Sequence, residues 1–139
     1  CIGATGNNGN PGQSSSDGEA GETGSSAQGA GLFNDGGPVA LTNCTFFGNI
    51  VVGGKGGDGG AGGQNGFGGD GGDGGAAGDG SGAAFYNAGV GTATLVNCTL
   101  ANNASKSGTA GVAGQGGGAS GRSGASGTGK PAVGAAMKE

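Results

Sequence analysis

Large apolar side chains are concentrated in two short blocks of this chain, residues 31–52 and 83–105. Both blocks are rich in β-branched and aromatic residues and are bounded by glycine, asparagine and proline, which is typical of short β-strands. The blocks also match each other, because ALTNCTF at 40–46 aligns with TLVNCTL at 94–100. An internal repeat of this kind predicts that the two blocks are copies of one structural unit.

The alternation of apolar and polar residues within a block predicts which side chains face inwards. In the first block it fits one buried side only if Asn43 lies at a bend that shifts the alternation by one residue. The predicted inward side chains are Leu41, Cys44 and Phe46 in the first block and Leu95, Cys98 and Leu100 in the second.

Glycine recurs at every third residue through most of the remaining chain. The series is unbroken from Gly54 to Gly78, and shorter series run through residues 3–24 and 108–127. A left-handed extended helix with three residues per turn places every third side chain on one face, and a face of glycine lets another backbone approach closely. The period therefore predicts an ordered bundle of left-handed polyglycine II helices.

Collagen and a disordered glycine–serine linker are the alternative interpretations of this composition. Collagen requires many prolines, whereas the chain has only three, and a linker has no reason to keep its glycines in phase. Within a bundle, Gly-Gly-X has two bare faces and Gly-X-X has one. We therefore expect residues 53–82 to lie inside the bundle, or between two layers, and residues 3–24 and 108–129 to lie outside it.

The strand blocks resemble a known repeat. The phrase LTNCTFFGN at 41–49, preceded by an aromatic residue and Asn, resembles one coil of the right-handed parallel β-helix in polymorphic outer-membrane and pectate-lyase-like surface proteins. The resemblance implies that Asn43 and Asn97 stack on each other at the bend. It also implies that Cys44 and Cys98 lie in the interior stack.

The glycine segments resemble the polyglycine-helix bundles of arthropod antifreeze proteins and of phage tail-fibre tips. Coils of the β-helix family follow one another directly, whereas a glycine segment separates the two blocks here. The predicted fold class is all-β/irregular, with short parallel β-helix-like coils combined with a bundle of left-handed polyglycine II helices and no α-helix. A single domain, 1–139, would contain a glycine-helix segment (3–30), β block 1 (31–52), a Gly-Gly-X segment (53–82), β block 2 (83–105), a glycine-helix segment (106–130) and a tail (131–139).

Composition and charge exclude several classes of function. The chain has no histidine, and its net charge of −4 includes five scattered cations that form no basic patch for nucleic acid. No apolar run approaches the ~20 residues that span a bilayer. Lys106 and Arg122 flank the second block without the clustered aspartates of pectate-lyase-like enzymes, so we expect no enzyme activity and no cofactor. Asp70 and Asp73 share a face at period three, and we interpret them as a solvated face in preference to calcium ligands.

Three cysteines cannot all pair within one chain. Cys44 and Cys98 would come within disulfide range in stacked coils, and we expect either a bond or an unbonded interior stack. Cys1 in place of an initiating Met indicates a processed or excised form, and we interpret it as an inter-subunit bridge, a lipid link or the tail of an earlier repeat. Of three N-glycosylation sequons, the one at Asn103 is the expected acceptor, because a stacked asparagine cannot carry sugar. The other two sequons begin at Asn43 and Asn97.

Two stacked strand blocks would leave open strand edges at both ends, and solenoids normally need at least three repeats with polar caps. Identical surfaces stacked head to tail do not close, so the chain should polymerise with copies of itself. We therefore expect an extracellular or cell-surface structural protein, a self-assembling fibre subunit with no nucleic-acid partner and no membrane span. The sequence identifies no receptor or glycan for it. The alternatives are a surface adhesin or phage tail-tip receptor-binding module, with loops around Gln64 and Phe67, and an ice-binding protein.

Overall fold

The chain has no α-helix in the residues that the structure, a computed structural model, describes: residues 1–134 and the backbone of Met137 and Lys138. The predicted tail 131–139 therefore lies partly outside the described residues. Short strands alternate with extended glycine-rich segments, in agreement with the predicted all-β class. The strands are β1 (Ala27–Gln28), β2 (Leu32–Asp35), β3 (Val39–Thr42), β4 (Thr45–Phe47), β5 (Ile50–Val52), β6 (Gly80–Ser81), β7 (Phe85–Ala88), β8 (Ala93–Val96), β9 (Thr99–Ala101), β10 (Ala104–Lys106) and β11 (Met137–Lys138).

The two strand blocks pair strand by strand, always in parallel. β2 pairs with β7, β3 with β8, β4 with β9 and β5 with β10, while the short β1 pairs with β6. The partners are 53 or 54 residues apart, as in Leu32 with Phe85 and Leu41 with Leu95. β11 also pairs with β7, so β7 is the central strand of a three-stranded sheet. The internal repeat of the sequence thus becomes two stacked strand blocks.

Asparagine residues form the bends between neighbouring strands. Asn43 lies between β3 and β4 with a φ of 54°, and Asn97 lies between β8 and β9 with a φ of 51°. Asparagine is one of the few residues that adopt this left-handed conformation readily. The bend predicted at Asn43 is confirmed, and the predicted inward residues around it are half-buried, namely Leu41, Cys44 and Phe46.

Extended glycine-rich segments bond to one another at every third residue, and we number them from first to sixth in chain order. Between the second and third segments, for example, Gly57 donates its N–H to the carbonyl oxygen of Glu22 and Gly60 donates to that of Glu19, both at 2.8 Å. The partners run in opposite directions, so these two segments are antiparallel. The six segments comprise residues 3–12, 18–25, 53–63, 69–78, 108–117 and 121–127.

The segments form two layers. The first, third and fifth segments are parallel, since Gly6 donates to the carbonyl oxygen of Lys55 and Gly56 donates to that of Thr109. The second, fourth and sixth segments form the other layer in the same way, and the two layers are antiparallel. The third and fourth segments therefore have neighbours on both sides, and most of their glycines are buried. The Gly-Gly-X region therefore supplies the middle segment of each layer.

Bare glycine faces are what allow these segments to approach so closely. A Cβ atom added to Gly57 would lie 1.9 Å from the carbonyl oxygen of Asn7, in the next segment of the same layer. The apolar core is small by comparison, with Phe85 and Val51 as the largest fully buried side chains of the described residues. Backbone hydrogen bonds between segments thus take the place of a large apolar core.

Candidate assembly surface

The stack of strands and glycine segments has two different ends. The first-end surface consists of the outer sides of the first and second glycine segments and the free edges of β2–β4. The last-end surface consists of the outer sides of the fifth and sixth glycine segments and the free edges of β8–β10. Among the described residues, no strand pairs with these edges.

Two asparagine–glutamate pairs close the bundle at the first end. Glu22 Oε2 accepts hydrogen bonds from the backbone N–H of Asn7 at 3.3 Å and from its Nδ2 at 2.9 Å. Glu19 Oε2 accepts the same two bonds from Asn10, at 3.4 and 2.8 Å. Inside the bundle the equivalent N–H, that of Gly57, donates to a carbonyl of the neighbouring segment. The two carboxylates therefore take the place of a further segment.

Side chains at both ends stand where the interior has glycine. Asn7 is in the register position of Gly57 at the first end, and Ser126 is in that of Gly74 at the last end. A Cβ atom on Gly57 or Gly74 would lie 1.9 or 2.3 Å from a backbone oxygen of the adjacent segment. A further glycine segment therefore cannot pack on either end as the interior segments pack on one another.

Aspartate side chains link successive segments within each layer. Asp17 Oδ1 accepts the N–H of Asp70, and Asp70 Oδ1 accepts the N–H of Arg122, both at 2.7 Å. In the other layer Asp58 Oδ1 accepts the N–H of Val112 at 2.9 Å. Residues at equivalent positions thus form columns that run from the first end to the last, and Asp17, Asp70 and Arg122 make one such column.

These contacts account for the acidic residues considered as calcium ligands. Asp70 and Asp73 each use Oδ1 to accept a backbone N–H of the sixth segment, from Arg122 and Ala125 respectively, at 2.7 Å. Within the described residues, no group of three His, Cys, Asp or Glu side chains lies close enough together to hold a metal ion. Both carboxylates act as caps for the next segment of their layer.

The Asp58 carboxyl, in the third segment, has a lowered pKa. Its Oδ1 lies 2.8 Å from Lys55 Nζ, and the two side chains keep 37% and 41% of their surface exposed. The hydrogen bond from Lys55, followed by the N–H of Val112, lowers the pKa of the Asp58 carboxyl from its ordinary value. The carboxylate form is thereby favoured, which keeps Oδ1 available as an acceptor for the neighbouring segment.

Asparagine side chains connect the two strand blocks. Asn34 Nδ2 donates to Asn87 Oδ1 and to the carbonyl oxygen of Gly37. Asn49 donates both its backbone N–H and its Nδ2 to Asn103 Oδ1, each at 2.9 Å. Sequence reasoning missed these two pairs, although the repeat distance of 53 or 54 residues relates their members and could have identified them.

Asn43 and Asn97, for which the β-helix resemblance implies a stack, lie at the two equivalent bends with exposed side chains. Asn103 is half-buried, and its Nδ2 donates to the carbonyl oxygen of Phe46 at 2.9 Å. The sequons at Asn43 and Asn97 are thus the accessible ones. This reverses the order of accessibility expected from the sequence, because Asn103 belongs to a bonded side-chain pair.

The three cysteine thiols are unpaired. Cys44 and Cys98 lie half-buried at equivalent positions, and Cys98 Sγ lies 3.4 Å from the carbonyl oxygen of Leu41 in the first block. Cys1 is exposed beside β5, where its amino group donates to the carbonyl oxygen of Ile50 at 2.9 Å. Cys1 is therefore the cysteine whose thiol is open to another molecule.

Charged side chains are segregated along the stack. Residues 1–52, which include the first-end surface, contain four acids and no Lys or Arg. Residues 93–139, which include the last-end surface, contain four cations and one acid. The two ends therefore carry opposite charge. The acids of the first part are Asp17, Glu19, Glu22 and Asp35, and the cations of the last part are Lys106, Arg122, Lys130 and Lys138.

The turns that join the glycine segments lie side by side at one tip of the bundle. The N–H of Asn65 donates to the carbonyl oxygen of Ser14 at 2.8 Å, and that of Ser120 donates to the carbonyl oxygen of Phe67 at 2.9 Å. The Phe67 side chain is 82% exposed there.

The described part of the chain contains no helix with the length and apolarity that a membrane span requires.

Comparisons with known proteins assign no family. No protein-family model matches the chain, and no curated protein matches it. One solved structure that matches is a springtail antifreeze protein from Granisotoma rainieri, a nine polyproline type II helical bundle whose crystal waters match the ice lattice. The identity is 25%, the match covers 89% of this chain and 94% of that chain, and the TM-score is 0.23. At that TM-score the match assigns neither a fold nor a function to this chain.

Proposed function

We propose that this chain is an extracellular structural protein, a subunit that assembles head to tail with its own copies into a surface fibre or filament. The proposal is carried by the free strand edges at opposite ends of the stack, β2–β4 and β8–β10. A free edge presents a row of N–H and C=O groups that can pair with another chain. Because the two blocks are parallel and in register, the last end of one copy matches the first end of another.

The proposed architecture of the subunit is a set of short parallel β-helix-like coils beside a bundle of left-handed polyglycine II helices. Hydrogen bonds at every third residue fit a helix with three residues per turn. Each coil would run from an even-numbered glycine segment through a strand block into the next odd-numbered segment. The constant offset of 53 or 54 residues between paired strands supports such a repeat.

Head-to-tail contact would let such subunits polymerise. The contact joins two different surfaces, so it repeats without closing unless the rotation forms a ring. Two strand blocks are also fewer than the three or more repeats that solenoids usually need, and a neighbouring copy would supply the next one.

Phe67 favours a second candidate function, the receptor-binding module of a surface adhesin or phage tail tip. Its ring is the most exposed aromatic side chain of the described residues and stands at the tip where the turns meet. Aromatic side chains are enriched at protein interfaces. In that case the protein would be monomeric, and the tip would be its contact with another molecule.

Cryo-electron microscopy of the purified protein, with light scattering over a range of concentrations, tests the proposal. We expect filaments, and a mass that rises with concentration. Monomers at every concentration would overturn the proposal. Monomers that produce thermal hysteresis would support the ice-binding alternative, and monomers without it would favour the receptor-binding tip.

A further inference from the structure

We infer that, beside the strand edges, the glycine bundles of neighbouring copies are held together electrostatically, with the acids at the first end of one copy bound to the cations at the last end of the next. This inference rests on the proposed function and names the surface that performs it. The partner is a second copy of this chain, because the complementary charges are found on opposite ends of the same molecule.

Backbone packing cannot supply the part of this junction that joins the glycine segments of the two copies. Asn7 and Glu22 close the first end of the bundle, and Ser126 stands at a glycine position of the last end. At the equivalent interior glycines, an added Cβ atom would lie only about 2 Å from a backbone oxygen of the next segment. The Cβ atoms of Asn7 and Ser126 would collide in the same way with a further segment. Between the glycine bundles of two copies, the contact must therefore be made by side chains.

The column of Asp17, Asp70 and Arg122 gives the junction its register. Each member stands one segment further along the same layer, and Arg122 is the last. In a continued stack the next position of the column belongs to Asp17 of the second copy. Arg122 and Asp17 are both exposed, and a guanidinium can bind a carboxylate with two parallel hydrogen bonds.

The acids around Asp17 extend the same surface. Glu19 and Glu22 are exposed in the second segment, and each uses only Oε2 in its bonds to asparagine. Lys130 is exposed just beyond the sixth segment. Such contacts weaken with salt, since the Debye length falls from about 8 Å at 0.15 M to about 3 Å at 1 M.

Charge reversal at the two ends tests the inference. Arg122→Glu places an acid on both ends and should raise the critical concentration for assembly about tenfold or more. Asp17→Arg places a cation on both ends and should do the same. An equimolar mixture of the two variants should assemble again, because each end of one variant then meets an opposite charge on the other. The double variant Asp17→Arg/Arg122→Glu should assemble by itself.

Lys55→Glu is the matched control, because it changes the net charge as Arg122→Glu does but lies away from both ends, and it should leave the critical concentration within about twofold. Asp17 also accepts the N–H of Asp70, so circular dichroism should first establish that each variant is folded. If Asp17→Arg does not fold, Arg122→Glu and the assembly of the wild type between about 0.15 M and 1 M salt still test the inference. Wild-type filaments insensitive both to 1 M salt and to Arg122→Glu would overturn the electrostatic junction and leave the proposed function standing. A wild-type protein that never assembles would overturn both.

Discussion

A Cβ atom on Gly72 would lie 2.0 Å from the carbonyl oxygen of Glu19, which belongs to the neighbouring segment of the same layer. The obstructing atom is backbone, so relief requires movement of a whole segment and not of one flexible side chain. Gly129, by contrast, has nothing within 4 Å of the same added atom. The same Gly→Ala substitution at these two positions therefore distinguishes the loss of stability caused by close packing from any effect of replacing a glycine as such.

Gly72→Ala should therefore lower the free energy of unfolding by about 3 kcal/mol or more, as an overpacked site does when it cannot relax. Gly129→Ala should change it by no more than about 0.5 kcal/mol. Urea denaturation of the two variants and the parent chain measures both effects. Equal effects at the two positions would mean that the segments are not in close contact.

The asparagine pair of the strand blocks gives a second contrast. Asn103→Ala leaves the backbone N–H and the Nδ2 of Asn49 without their acceptor, which should cost about 1–3 kcal/mol of stability. Asn97→Gly should stay within about 0.5 kcal/mol, because glycine adopts a φ of 51° without strain. Both values come from the same denaturation experiment. A larger loss of stability from Asn97→Gly than from Asn103→Ala would contradict this, because it would show that the Asn97 side chain at the bend matters more than the Asn49–Asn103 pair.

Features that depend on local pattern could be predicted from the sequence. The bend at Asn43 follows from a break in the alternation at a residue that tolerates positive φ. The interior position of the Gly-Gly-X region follows from its two bare faces, which need two close neighbours.

The partner of each face could not be predicted in this way. A period of three residues defines which face of a segment is bare but does not state which other segment meets it. The bond from the Arg122 N–H to Asp70 depends on the register between the fourth and sixth segments, which the intervening strands determine. The pairing of Asn49 with Asn103 likewise appears only when the two blocks are aligned over their full length.

Asp58 should make stability depend on acid pH. Its folded pKa is lowered below the ordinary 3.8, first by the hydrogen bond from Lys55 and then by the Val112 N–H. Its contribution is therefore present above pH 3.8 and is lost as the pH falls through the lower folded value. A carbon-13 NMR titration of the carboxyl should show the lowered pKa in the parent chain.

Lys55→Ala removes the largest cause and should move the Asp58 pKa back towards its ordinary value, while the Val112 contact remains. Asp58→Asn keeps an oxygen acceptor for Val112 and should remove the acid-dependent part of the stability curve. An unchanged Asp58 pKa in Lys55→Ala would show that the ion pair does not form in solution.

Thiol labelling should distinguish the three cysteines. Cys1 is exposed, whereas Cys44 and Cys98 are half-buried. We expect one thiol to react with a disulfide reagent at the rate of a free cysteine, and the other two to react at least about tenfold more slowly. Cys1→Ser should remove the fast phase alone. Three equal rates would contradict the positions of Cys44 and Cys98, and fewer than three reactive thiols would reveal a disulfide.

Hydrogen exchange separates the interior of the bundle from its last end. The N–H of Gly56 donates to the carbonyl oxygen of Thr109 at 2.9 Å, whereas the equivalent N–H of Ala110 has no acceptor among the described residues. Below the concentration of assembly, NMR should therefore show an amide at Gly56 that exchanges at least about a hundredfold more slowly than that at Ala110. Random-coil exchange throughout 53–82 would contradict an ordered bundle.

The same two amides report on the junction once the protein has assembled. A contact made by side chains keeps the backbones of the two bundles apart, so Ala110 should still exchange rapidly in the filament while Gly56 stays protected. If filament formation instead protected Ala110 as fully as Gly56, a backbone carbonyl of the second copy would have to accept its hydrogen bond. Asn7 and Glu22 would then have to move aside from the first end, and the junction would be one of backbone packing and not of opposite charge.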